Sequence, residues 1–102
     1  MTPETRNYVL MRDCYTCQRC GKNVYISQLQ IAHRIKSGKG TLNHIKKNFS
    51  VDKMTDKDIK ENIIDHPLNL VTTCSLRCND SFNVFNNPVE RDKLLNKIMD
   101  TL

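Results

Sequence analysis

Cys17-Gln18-Arg19-Cys20 and Cys74-Ser75-Leu76-Arg77-Cys78 are two short-spaced thiol pairs separated by most of the chain. Each pair can deliver two thiolates from one tight turn, and together Cys17, Cys20, Cys74 and Cys78 make a complete tetrahedral set for one structural zinc. Between the pairs lies Gln30-Ile31-Ala32-His33, an alternating segment that ends in an imidazole. An imidazole can exchange a proton near neutral pH. Asn69-Leu70-Val71-Thr72-Thr73 runs directly into the second pair, and Asn79-Asp80 follows it.

These groups need positioning. Thr2-Pro3-Glu4 reads as a helix cap with proline in the first turn, predicting a helix over 3–13. Gly21 suits the turn that closes the first thiol knuckle. Alternation predicts a strand over 26–35, with Leu29, Ile31 and His33 on one face. Lys36-Ser37-Gly38-Lys39-Gly40 lacks Walker spacing and reads as a turn. It opens a lysine-rich loop whose Lys36, Lys39, Lys46 and Lys47 either are solvated or contact phosphates. Thr55-Asp56-Lys57-Asp58 starts a helix through Ile59, Ile63 and Ile64 that Pro67 ends. A second strand is expected over 69–73, then a helix over 74–86 with Leu76, Phe82 and Phe85 available for burial. Asn87-Pro88-Val89-Glu90 starts a last helix over 88–101, whose Leu94, Leu95, Ile98 and Leu102 form an apolar stripe.

The 102 residues leave room for a single domain with a small core, since only 38% are hydrophobic and none is Trp. Such a core benefits from a metal staple. Sixteen Lys and Arg against eleven Asp and Glu give a formal charge of +5, which favours a polyanionic partner. The polar N-terminal residues show no secretory h-region and no run has membrane-spanning length. A cytoplasmic, reducing setting is therefore expected, in which paired cysteines hold metal. Cys14, the fifth cysteine, is expected as a small buried packing residue beside the knuckle.

The ordered set of Cys17-x2-Cys20-Gly21, Gln30 to Ile35, Asn69 to Cys74 and Cys78-Asn79-Asp80 resembles the HNH endonucleases braced by a four-cysteine zinc site. The likeness covers about residues 9–83. It implies an α+β fold, with a ββα-metal core and flanking N- and C-terminal helices, and a metal-dependent hydrolysis of DNA phosphodiesters. Carried over by position, His33 is the general base, Asn69 holds the strand-to-helix geometry and orients the histidine, and Asn79 binds the catalytic cation: an H-N-N variant. Two departures stand out. Ala32 occupies a position where relatives carry a metal-binding Asp or His, and three residues instead of two separate Cys74 from Cys78. Asn79, Asp80, Asn83 and His66 are therefore all candidates for the shell of a catalytic Mg²⁺ or Mn²⁺. Arg34, Lys36, Lys39, Lys46, Lys47 and Arg77 are the candidate contacts to double-stranded DNA, and His44 is a DNA-side or solvent residue. Small free-standing relatives occur in phages, mobile elements and restriction systems. A homodimer stays open, as does the alternative of a catalytically inactive zinc-braced DNA-binding module, which Ala32 favours.

Overall fold

The computed structural model describes residues 1–23, 25–84 and 87–102, with the side chains of Ile26 and Leu76 excepted. Phe85, one of the expected core residues, thus lies outside the described residues, as does the side chain of Leu76. The architecture is α+β, a two-stranded sheet surrounded by helices.

Helix α1 spans Pro3–Arg12, with Thr2 Oγ1 accepting from the Thr5 N–H at 3.2 Å and Pro3 in its first turn. Val9 and Leu10 are its buried residues. It ends where Cys14 and Tyr15 both turn left-handed, at φ 54° and 52°. This costly conformation for non-glycine residues is held by the Tyr15 N–H bonding to Leu10 O at 2.9 Å. Cys14 is exposed there, so it is not the buried packing residue expected: the reversed backbone turns it out of the core.

Strands β1 (Gln30–His33) and β2 (Leu70–Thr73) pair antiparallel, with His33 opposite Leu70 and Ala32 opposite Val71. The first strand is much shorter than alternation predicts. Ile26–Gln28 forms a 3-10 turn, and beyond His33 the ladder is taken over by one asparagine. Arg34 N–H donates to the Asn69 carbonyl at 2.9 Å, and Ile35 N–H to Asn69 Oδ1 at 2.8 Å. Arg12 and Asp13 fasten α1 to β2. The guanidinium donates to Pro67 O at 2.8 Å and Leu70 O at 2.6 Å, while Asp13 Oδ2 accepts from the Thr72 N–H at 2.9 Å. Burial pushes the Asp13 carboxyl up, but bonds from Arg12 and Thr72 outweigh it and hold it below its usual value.

The expected lysine loop is instead largely helical. Helix α2 spans Lys39–Asn48. Leu42, Ile45 and Phe49 recur at helical spacing and pack into the core, and Lys46 and Lys47 fall in the last turn, where the dipole favours cations. Helix α3 (Asp56–Ile59) starts with a capping box between Thr55 and Asp58, then widens into a π-helical turn over Lys60–Ile64. A second 3-10 turn, Pro67–Asn69, leads into β2. Among the described residues, the helix expected over 74–86 is reduced to α4, Leu76–Asp80, with Ser75 as its cap; residues 85 and 86 lie outside them.

Helix α5 (Pro88–Met99) begins at the Asn87 cap. Its Leu94, Leu95 and Ile98 join Ile35, Ile45, Val51, Ile59, Ile63 and Ile64 in one apolar core. Leu102, placed by periodicity in the same stripe, is 59% exposed because α5 ends at Met99. His44, expected as a DNA-side or solvent residue, has its Nε2 2.9 Å from Asp92 and ties α2 to α5. No described helix is long and apolar enough to cross a membrane.

Candidate functional site

The sequence builds the first thiol knuckle from backbone bonds. Cys17 N–H donates to Lys22 O and Gly21 N–H to Cys17 O, both at 2.9 Å, and Gly21 has φ +78°, which glycine alone adopts without strain. Gln18 N–H bonds to Thr72 O at 3.0 Å and anchors the knuckle to β2. The second pair comes directly off the end of β2. Cys74 and Cys78 stand four apart across the start of α4, the spacing that puts side chains on one side of a helical turn. The three-residue gap is thus a helical solution to bringing two thiols together.

The sulfur atoms of Cys17, Cys20, Cys74 and Cys78 all lie within 4.8 Å of one another. Cys20 and Cys74 are 3.4 Å apart, and Cys74 and Cys78 3.9 Å. A tetrahedron of Zn–S bonds near 2.3 Å has edges of about 3.8 Å, so the group could hold a metal such as zinc. Its electrostatics point the same way. Burial raises the Cys17 thiol, yet N–H groups of Cys20 and Arg19 bring it down to about 6. Hydrogen bonding to Cys20, then burial, pushes Cys74 up to about 12. Four crowded thiols cannot all ionise unaided, and a dication removes that conflict. Cys14 takes no part. Arg77, a candidate DNA contact, borders an opening beside the cluster together with Arg19 and Lys22.

A second site lies at the end of β1. His33 borders a cleft of about 310 Å³ whose other polar lining includes Lys36, Ser37, Lys60, Asp65 and Asn79. His33 Nε2 is 2.8 Å from Asp65 Oδ1, and the Met1 amino group is 3.0 Å from Asp65 Oδ2. The Asp65 side chain is only 9% exposed. Burial pushes its carboxyl up, but the bonds from His33 and the amino group outweigh this and hold it below the usual range. Asp65 is therefore an ionised acceptor at neutral pH, and the His33 Nε2 that faces it is the donating nitrogen.

Asn69 has no solvent exposure and organises both sides of this pair. Its Oδ1 accepts from Ile35 N–H, and its Nδ2 donates to Ile35 O at 3.0 Å and Ile64 O at 2.7 Å. One amide thus locks the residues following His33 to the residue preceding Asp65. Ala32 has 0% exposure and, by strand alternation, leaves the opposite face from His33.

The other expected site residues distribute unevenly. Asn79 borders the cleft, whereas the Asp80 side chain is 70% exposed and meets Lys36 at 3.4 Å. Asn83 is exposed beyond α4. His66 is not among the cleft residues: Nδ1 accepts from Leu68 N–H at 3.1 Å and Nε2 lies 2.8 Å from Thr101 Oγ1, which spends both nitrogens on structure. Lys39 and Lys47 are exposed on α2, and Lys46 pairs with Asp56. Asp65 is the residue that sequence reasoning missed. The available signal was an acid closing an apolar helical run, one residue before the His66-Pro67 boundary.

No family model, curated protein or solved structure matches this chain, so a functional assignment has to rest on the site itself.

Proposed function

We propose that this chain is a divalent-cation-dependent DNA endonuclease of the HNH type, with β1, β2 and α4 as its ββα unit and a structural zinc on the four cysteines. The observation that carries the reading is a histidine held by a buried carboxylate in a cleft that also contains an asparagine and two lysines. A base with a fixed tautomer and cations for a phosphate are what phosphodiester hydrolysis requires.

In this reading His33 takes a proton from water at Nδ1, and the water attacks phosphorus in line. Asp65 holds the ring and stabilises the imidazolium that forms, in the manner of a catalytic aspartate–histidine pair. Lys36 and Lys60 face the phosphate charge at the cleft rim. Asn79, Ser37 and Asp65 offer oxygen donors that suit Mg²⁺ or Mn²⁺, which would neutralise charge on the phosphoryl oxygens and the leaving 3′ oxygen. The HNH likeness implies 3′-hydroxyl and 5′-phosphate products.

Ala32 supports a second reading, a zinc-braced DNA-binding module without catalysis, because a fully buried methyl offers the cleft no ligand. Plasmid DNA incubated with the protein and Mg²⁺, Mn²⁺ or EDTA separates the two. Cation-dependent nicking or cutting is expected, with His33→Ala slowing it by roughly 10²- to 10⁴-fold while DNA affinity and zinc content hold. Duplex binding without cleavage under any cation would leave the binding module as the function.

A further inference from the structure

Arg34 follows the candidate base directly, yet it borders a different depression. That pocket, of about 110 Å³, is lined by Arg34, Glu90, Lys93, Leu94 and Lys97 and shares no lining residue with the His33 cleft. The main chain of Arg34 is fixed at both ends: its N–H donates to Asn69 O, and its carbonyl accepts from Val84 N–H, each at 2.9 Å. Lys93 and Lys97 lie one turn apart on α5, with Glu90 on the same face.

One donor at the edge of this pocket lacks a partner. The Arg34 Nε is buried and has no hydrogen-bond partner, a donor that proteins seldom leave unmatched. Among the described residues, the side chains of Arg34, Lys93 and Lys97 form no ion pair, so three positive charges border one depression with Glu90 as its single acid. Glu90 borders the pocket without taking up the free Nε.

We infer that Arg34, Lys93 and Lys97 form a phosphate-binding pocket that takes one backbone phosphodiester of nucleic acid. A guanidinium presents a planar fork matched to phosphate oxygens, and the two lysines add point charges beside it. The pocket has room for little more than the phosphate group and no aromatic wall for a base, so the rest of the ligand lies outside it. Glu90 disfavours the second charge of a terminal phosphate more than the single charge of a phosphodiester. The inference rests on the nucleic-acid half of the function proposed above and not on the hydrolytic half.

The test follows the Arg34 Nε–Hε resonance of ¹⁵N-labelled zinc-loaded protein during titration with a short DNA duplex, with inorganic phosphate and with chloride at matched ionic strength. Duplex is expected to shift the resonance most. Duplex affinity is then measured against salt for wild type, Arg34→Gln and the double variant Lys93→Gln/Lys97→Gln, whose lysines are exposed and spare the fold. A lost phosphate contact lowers the log–log slope by about 0.9. Duplex binding with unchanged slope in both variants and an unmoved Nε–Hε overturns the pocket and leaves the proposed function standing. A shift with inorganic phosphate alone overturns the nucleic-acid assignment, and wild type that binds no duplex removes both.

Discussion

The two ends of this molecule are held together by different physics. Around α2, α3 and α5, nine buried apolar residues from Ile35 to Ile98 make a contiguous core. Outside that core fewer apolar residues are buried, Val9, Leu10, Leu29 and Leu70 among them, and at the thiol cluster Cys17 is buried while Cys20 is exposed and Tyr25 is 80% exposed. The sheet with its Asn69 lock lies between. A small chain can thus concentrate its apolar residues at one end if a metal carries the other.

Removing any metal held by the four cysteines tests this division most strongly. Structural zinc contributes on the order of 10 kcal/mol to folding in small domains, far more than any side chain. Cys74→Ser or a strong chelator is expected to release one zinc per chain and abolish hydrogen-exchange protection at Gly21 and Asn79, while α3 and α5 keep theirs. Cys14→Ser is expected to leave metal content unchanged. Simultaneous loss of protection throughout would show a single cooperative unit, and folded protein without metal would remove the thiol end's dependence altogether.

Ile63→Ala tests the opposite end. The side chain has no exposure, and truncating a buried isoleucine costs about 2–5 kcal/mol. The urea midpoint is expected to fall while zinc stoichiometry and the thiol-end amides stay as in wild type. Loss of zinc in this variant would mean that the two ends are coupled through Asn69 more tightly than their separate cores suggest.

Legibility in the sequence follows the same divide. The four cysteines announce themselves by spacing, and the starts of α1, α3 and α5 by Thr2-Pro3, Thr55 with Asp58, and Asn87-Pro88, because caps are local chemistry. Helix α2 was hidden: its lysines and glycines read as loop, and only burial of Leu42, Ile45 and Phe49 against distant residues makes it a helix. Strand β1 looked longer since alternation cannot reveal that Asn69 ends the ladder. His33, Asn69 and Asn79 were visible as residue types in order. Asp65 was not, because its meaning depends on a tertiary neighbour 32 positions away.

The junction gives the smallest expected effect and a pH signature. The Asp65 carboxyl is depressed in the folded protein, so it contributes stability above its unfolded value of about 3.9, lost as pH falls through the lower folded value. Urea midpoints of wild type and Asp65→Asn are expected to differ at pH 7 and converge toward acid. Under the proposed function the variant should also slow DNA cleavage, since a carboxamide can donate to the imidazole and favour the wrong tautomer. Parallel midpoints down to low pH would show that the His33–Asp65 contact contributes nothing to the junction.

The π-helical turn over Lys60–Ile64 has an implication for how the chain tolerates a change in its length. Asp65 N–H reaches back five residues to Lys60 O at 2.9 Å, one more than an α-helix allows. Deleting a single codon among the exposed positions Lys60, Glu61 and Asn62 would restore ordinary winding. A π-turn takes up its extra residue by widening, so after the deletion Asp65 and the core residues beside it would stay close to their present places. The wide turn is in this sense a place where the chain can gain or lose one residue beside the His33–Asp65 pair without rebuilding the core.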